Sequence, residues 1–181
     1  MVQELKLLEY YNIELPAVTD KINRQYYEPI LSLCEEAIQD AIAITKNGDS
    51  QSPAKIYTNF CMNLLFSIKH DIAGRQNIML PRMISLYEKE KTGHDCATCD
   101  GNCKVNRVDV NALSEANTVI VDSLCRLHKL AIPAYMFTQQ IDAYKELRYK
   151  MLSLNTALLE LFFIEESVLF TAVVGLQAHA A

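Results

Sequence analysis

The segment KTGHDCATCDGNCKVN, residues 91–106, holds the residues of this chain that are best suited to chemistry. It contains three of the 6 cysteines and one of the 4 histidines. A C-x2-C pair lets two thiolates reach one ion from a single tight turn, and a third cysteine with a histidine can complete a tetrahedral zinc site. The spacing H-x-C-x2-C-x3-C therefore predicts a metal site with the ligands His94, Cys96, Cys99 and Cys103.

Other uses of the same residues stay open at this stage. Three thiolates with a further ligand also suit an iron–sulfur cluster. The C-x2-C pair is equally typical of thiol redox or disulfide chemistry, and the simplest alternative is three reduced thiols without a ligand. In a reducing compartment clustered cysteines more often bind metal than form disulfides. We therefore expect zinc or iron here, with mononuclear, di-iron and iron–sulfur forms as alternatives.

A second candidate metal site lies within the predicted helices. Glu165 falls on an apolar stripe with Leu161 and Val168, and a buried carboxylate is costly unless it is paired or binds a metal. His128 follows Leu124 by four residues and is predicted to face inward, and His70 precedes an acid on another apolar stripe. Helical bundles build non-haem metal centres from such residues. The alternative is that His70, His128 and Glu165 are hydrogen-bonded core or edge residues.

Apolar residues recur at three- and four-residue steps along most of the chain, which predicts amphipathic helices. The prolines predict interruptions, with a kink or restart at Pro29, a bend at Pro81 and a helix end before Pro133. Four helices and no strand predict one all-α domain over residues 1–181, an antiparallel four-helix bundle. The helices are expected over about residues 16–46, 54–91, 109 or 111 to 130, and 138–175, with a lead-in segment at 1–15 and a Cys-rich loop at 92–108 between helices 2 and 3.

The composition narrows the class of protein. Half of the residues are apolar and Gly and Pro number only 5 each, which favours long helices around a sizeable core. The net charge of -5 and the lack of a basic cluster argue against a nucleic-acid partner. The most apolar region, 157–174, carries three glutamates, which argues against a membrane span. With no signal peptide apparent at the N-terminus, we expect a cytoplasmic protein.

Two patches resemble the hemerythrin-like family, in particular its di-iron proteins linked to the repair of iron–sulfur centres. The first patch is Leu80-Pro81 with the later Gly93-His94-Asp95, and the second is the run EESVLF at 165–170. The resemblance implies a four-helix bundle in which Glu165 is similar to a bridging iron ligand and His94 to a terminal one. The chain departs from the family pattern at positions where the family has two histidines and a proline, namely Ala73, Leu161 and Thr171.

Two functions of different class follow. The first is a metal-binding bundle that senses metal or redox state through the cysteine loop or through an altered non-haem iron site. The second is a non-catalytic structural or partner-binding bundle, in which zinc only staples the loop. Its partner would be another protein or a second copy of the chain in a homodimer. The pairs Tyr10-Tyr11 and Tyr26-Tyr27 are candidates for the contact surface, with the core as the alternative. The sequence contains no phosphate-binding loop or nucleophile elbow, so we expect no hydrolase or transferase activity.

Overall fold

The computed structural model describes residues 7–10, 12–46, 53–93, 107–138 and 142–179. This part of the chain forms four long helices and contains no strand, which confirms the all-helical prediction. We number the helices α1 to α4, and the middle segments of α1, α2 and α4 are π-helical. The segments are Leu15–Ile22, Asn23–Tyr27 and Glu28–Thr45 in α1; Pro53–Gly74, Arg75–Met79 and Leu80–Lys91 in α2; Val110–Thr138 in α3; and Asp142–Ile164, Glu165–Phe170 and Thr171–His179 in α4.

Proline explains the π-helical segments of α1 and α2. Pro29 and Pro81 each follow such a segment by two residues. Proline cannot donate a backbone hydrogen bond, and its ring crowds the carbonyl four residues earlier. Directly before each proline, the amide reaches the carbonyl five residues back, as Glu28 does to Asn23. The widened turn lets both helices continue through a residue that would otherwise end them.

The π-helical segment of α4 has no proline behind it. Thr171 occupies the following position, and its hydroxyl donates to the carbonyl of Glu166 at 3.2 Å. The acceptor is again five residues back, so a side chain here supplies a hydrogen bond across the widened turn. Three of the four helices therefore carry the same irregularity by two different chemical routes.

Pro133 does not end α3, and the sequence prediction of a helix end there was wrong. The helix continues to Thr138 with Pro133 inside it. Pro133 and Lys129, whose carbonyl lies four residues earlier, are both exposed. Water can therefore bind the carbonyl that Pro133 cannot serve, and the cost of a proline within a helix is reduced.

Apolar burial holds the four helices together. Helix α1 packs along α2 and α4, and α2 packs along α3, whereas α3 and α4 touch only lightly. Each fully buried aliphatic side chain contributes about 1.5–3 kcal/mol to the free energy of folding. The innermost apolar side chains include Ile22, Tyr27, Ile30, Leu65, Ile68, Ile72, Met83, Leu124, Leu147, Leu154 and Leu158. Within the described ranges, no helix has both the length and the apolar character needed to cross a membrane.

Two neighbouring leucines of α4 test this packing. Leu158 has 0% of its surface exposed and Leu159 has 43%. We expect Leu158→Ala to lower the free energy of unfolding by about 2–5 kcal/mol, because it leaves a cavity in the core. Leu159→Ala should change it by less than about 0.5 kcal/mol as an exposed substitution. Urea unfolding followed by circular dichroism measures both, and equal losses would contradict the packing described here.

Candidate functional site

Glu165 lies at the centre of a buried polar cluster. Its carboxylate has 0% exposure, and both of its oxygens are engaged. The hydroxyl of Tyr27 donates to Oε1 at 2.5 Å, and Nη1 of Arg75 donates to Oε2. Three helices, α1, α2 and α4, thus meet at one carboxylate.

Arg75 connects this carboxylate to a second acid. Its Nε donates to Oδ2 of Asp71 at 2.8 Å, four residues earlier on α2, and its guanidinium lies over the ring of Phe162 at 5.4 Å. Arg75 is almost fully buried, whereas 26% of the Asp71 side chain is exposed. A planar guanidinium suits this task because it can bind two acids and stack on an aromatic ring at once.

Asn117 of α3 lies beside this part of α4. It is buried, and its Nδ2 donates to Oε1 of Glu166 at 3.5 Å. Nη2 of Arg75 and Oδ1 of Asn117 are buried without a hydrogen-bond partner, although each is a strong donor or acceptor. We call Tyr27, Asp71, Arg75, Asn117 and Glu165 the core polar cluster.

The π-helical segments position three members of this cluster. Tyr27 ends the segment of α1, Arg75 begins that of α2, and Glu165 begins that of α4. A π-helical turn changes the direction of the side chains that follow it relative to those before it. The three irregular segments therefore meet at the same buried carboxylate, as π-helical turns often do at functional sites.

Burial and neighbouring charges both shift the pKa values of the groups in the cluster. The pKa of the Glu165 carboxyl is raised, because the effect of burial exceeds the lowering effects of the Arg75 charge and of the hydrogen bond from Tyr27. Burial raises the pKa of the Tyr27 phenol well above its ordinary value, and the neighbouring Glu165 raises it further. Although burial alone would lower it, the pKa of Arg75 is raised, because the charges of Glu165 and Asp71 outweigh burial. The phenol therefore remains a donor and the guanidinium remains a cation.

The cluster does not have the donor set of a metal centre. The Glu165 carboxylate, which the family resemblance compares with an iron ligand, is held instead by a guanidinium cation and a phenol. His70 and His128 are both exposed, so the prediction that His128 faces inward was wrong. The buried face of α3 is formed by Ile120, Leu124 and Leu127, and His128 lies just beside it. Across the described ranges, no three His, Cys, Asp or Glu residues are grouped so as to hold a metal ion.

The predicted ligands His94, Cys96, Cys99 and Cys103 lie outside the described residues. The structure describes the residues on either side of them. Gly93 adopts a left-handed backbone with φ 64°, which suits the residue after a helix end. On the other side, Asp109 Oδ1 accepts from the amide of Ala112 at 3.1 Å at the start of α3, and the carbonyl of the buried Val108 accepts from Gln177 of α4 at 2.9 Å. The cysteine segment thus joins two anchored ends.

The remaining cysteines have contrasting surroundings. Cys34 and Cys61 are buried, and desolvation raises the pKa of each thiol to about 12. Cys125 is exposed. Because the thiolate is the reactive form, the two buried cysteines are expected to be inert packing residues.

The sequence analysis missed Tyr27, Arg75 and Asn117. The sequence left two positions open for the pair Tyr26-Tyr27, a contact surface or the core, and both side chains lie in the core. Arg75 carried a usable signal, because it continues the apolar stripe of Ile68 and Ile72 and precedes Met79 on the same face. A basic residue in that position predicts a buried acid as its partner.

Comparison with known protein families, curated proteins and solved structures found no match to this chain. The residues of the site are therefore assigned from their geometry alone.

The ion pair at the centre of the cluster can be tested with two single variants and the double variant. Arg75→Met should lower the free energy of unfolding by about 3–5 kcal/mol, because it leaves the Glu165 carboxylate buried without a cation. Adding Glu165→Gln should recover at least half of this loss, since the amide is uncharged and can still accept from Tyr27. Chemical denaturation of the two variants and of Glu165→Gln alone gives the coupling energy. Additive losses would contradict a direct pairing of Arg75 with Glu165.

Thiol reactivity tests the surroundings of the cysteines. In a variant with serine at 96, 99 and 103, three of the 6 cysteines remain. We expect one of them, Cys125, to react with a disulfide reagent near neutral pH in the folded protein, and all three to react after unfolding, because the buried thiols stay protonated. Fast reaction of Cys34 or Cys61 in the folded protein would contradict their burial.

Proposed function

We propose that this chain is a metal-binding helical bundle in which the cysteine segment, and not the core, holds the ion. One observation carries the proposal. Glu165, the fully buried acid among the described residues, is already bound by Arg75 and Tyr27. A metal ion at this place would have to displace a guanidinium that pairs with two carboxylates. The metal ligands would then come from the cysteine segment.

The chemistry of that set suits a soft or borderline metal. Cys96, Cys99, Cys103 and His94 would hold zinc as a closed structural site, or iron as a redox-active one. Hydrogen peroxide would oxidise the metal-bound thiolates of Cys96 and Cys99 to a disulfide, and the two electrons would reduce the peroxide to two water molecules with uptake of two protons. Both sulfurs would then be lost as ligands, and the ion would be released. The segment would in this way report oxidation to the helices on either side of it. Such a sensor belongs in a reducing compartment, and we propose the cytoplasm.

We propose that the four helices run antiparallel, in a hemerythrin-like arrangement with the cysteine segment as a loop between α2 and α3. Pairs of contacts support opposite directions. Tyr27 and Asp40 of α1 meet Glu165 and Lys150 of α4 in reverse order. Two further pairs support the same for α1 and α2, namely Glu14, directly before α1, with Lys91, and Glu35 with Lys69. The cysteine segment would then lie at the end of the bundle where α1 begins.

A structural or partner-binding role is the second candidate. The light contact between α3 and α4, with exposed apolar side chains such as Ile132 and Tyr149, favours a bundle that binds another protein. In this case zinc would only fold the cysteine segment, and the metal would have no redox role.

Metal content tests whether the cysteine segment holds an ion, which both functions require. Protein purified without oxygen or chelator should contain one equivalent of metal, and Cys96→Ser/Cys99→Ser should abolish it, because two of the four ligands are lost. The matched control is Cys125→Ser, which removes an exposed thiol outside the segment and should keep the metal. Elemental analysis with an absorption spectrum measures both.

The identity of the metal then decides the role. A coloured iron protein whose spectrum changes on oxidation supports sensing. A colourless zinc protein, whose melting temperature falls in the double variant, supports the structural role. Equal metal content in Cys96→Ser/Cys99→Ser and in Cys125→Ser would contradict a cysteine-held ion in either form.

A further inference from the structure

Two polar atoms in the core polar cluster have no hydrogen-bond partner among the described residues, namely Nη2 of Arg75 and Oδ1 of Asn117. Each of these residues has only 2% of its surface exposed. Burying a polar atom is costly unless it is hydrogen-bonded, so each of the two indicates a ligand that completes its bonding. One atom is a donor and the other is an acceptor, so a single ligand can serve both.

The two atoms lie at the same level of the bundle. Arg75 of α2 donates to Glu165 through Nη1. Asn117 of α3 donates to Glu166 through Nδ2, so the two side chains approach consecutive residues of α4. Helix α2 also packs closely along α3. Because Nη2 and Oδ1 do not bond to each other, they face the same part of the interior across more than the length of a direct hydrogen bond.

The orientation of the Asn117 amide follows from its neighbour on the surface. Glu166 is exposed, and an ionised carboxylate can only accept hydrogen bonds. The amide nitrogen, which is the donor, therefore faces Glu166 at 3.5 Å. Turning the amide over would place its oxygen against the carboxylate and its NH2 group towards the donors of Arg75. Oδ1 is therefore an acceptor that faces inward.

The Arg75 guanidinium is equally constrained. Its N–H donors lie in one rigid plane. Nε donates to Asp71 at 2.8 Å and Nη1 donates to Glu165, while the ring of Phe162 lies below the plane. Rotating the group to give Nη2 another partner would break a bond to one of the two acids. Nη2 is therefore a donor with a fixed direction.

The charges around the two atoms favour a neutral ligand. Arg75 is one cation, and it is in contact with Asp71 and Glu165, while Asn117 adjoins the carboxylate of Glu166. An anion would be repelled by these three acids, and a cation cannot accept a hydrogen bond from Nη2. The bonds within the cluster are short, at 2.5 Å from Tyr27 and 2.8 Å to Asp71, so the ligand also has to be compact.

We propose that the core polar cluster contains a binding site for one water molecule, which accepts from Nη2 of Arg75 and donates to Oδ1 of Asn117. Water is neutral, compact, and both a donor and an acceptor. Internal water molecules of this kind serve buried polar groups that have no protein partner. The bridge connects α3 to the pair of Arg75 and Glu165, whose direct hydrogen bonds join α1, α2 and α4.

A high-resolution crystal structure of the full chain tests the proposal. We expect an ordered water molecule at about 2.7–3.2 Å from both Nη2 of Arg75 and Oδ1 of Asn117. A crystal soaked in sodium bromide is the control for an anion, because bromide is identified by its anomalous scattering. We expect no bromide between the two side chains.

Water-selective NMR tests the same bridge in solution. In the wild-type protein the side-chain N–H protons of Arg75 should show rotating-frame cross-peaks to a bound water molecule. Asn117→Leu has a side chain of similar size without the acceptor, so these cross-peaks should be lost. Thr58→Val is the matched control. Thr58 is also fully buried, but its hydroxyl donates to the carbonyl of Ala54 in its own helix at 2.9 Å, so this variant should keep the cross-peaks.

Several results would overturn the proposal. The crystal structure could show a direct hydrogen bond between Nη2 and Oδ1, a bromide ion between them, or no ordered water within reach of both atoms. Equal water cross-peaks in the wild type and in Asn117→Leu would also contradict the bridge. If Asn117→Leu does not give a wild-type circular dichroism spectrum, the wild-type crystal structure decides the outcome alone.

Discussion

The ion pair between Arg75 and Glu165 is the interaction on which the interior of this protein depends. Neither charged group is in contact with water to any appreciable extent, so each is tolerable only because the other is present. Asp71 and Tyr27 supply further hydrogen bonds to the pair, and Asn117 of α3 donates to Glu166, the residue next to Glu165. Replacing the pair with apolar residues of similar volume could preserve stability, but it would remove the polar constraint that favours one arrangement of the helices over others.

The π-helical turns are structurally linked to the core polar cluster. Pro29 and Pro81 force widened turns in α1 and α2, and Thr171 supports a third in α4. Each widened turn begins or ends at a residue of the cluster. A proline that lies outside the site can therefore determine where a buried side chain inside it points. This coupling explains how a run of ordinary helical sequence places Tyr27 and Arg75 against Glu165.

The sequence revealed the helices and the inward position of Glu165, because both follow from periodicity along one segment. It did not reveal that Arg75 and Tyr27 are its partners, since their pairing joins residues far apart in the chain. His128 was predicted to face inward, but it lies beside the buried face of α3. Helical periodicity alone does not distinguish the edge of a buried stripe from its centre. Pro133 was predicted to end α3, but its exposure allows water to serve the orphaned carbonyl. The cysteine segment, whose ligands lie outside the described residues, stays a prediction.

The central proposal is that the chain holds a metal ion through sulfur from the cysteine segment and not through a carboxylate of the core. X-ray absorption of the protein reconstituted with one equivalent of zinc tests this most directly. The account predicts a first shell with sulfur at about 2.3 Å, from the cysteines at 96, 99 and 103, beside one nitrogen. A shell of oxygen and nitrogen alone, at about 2.0–2.2 Å, would contradict it and would indicate carboxylate ligands from the helices.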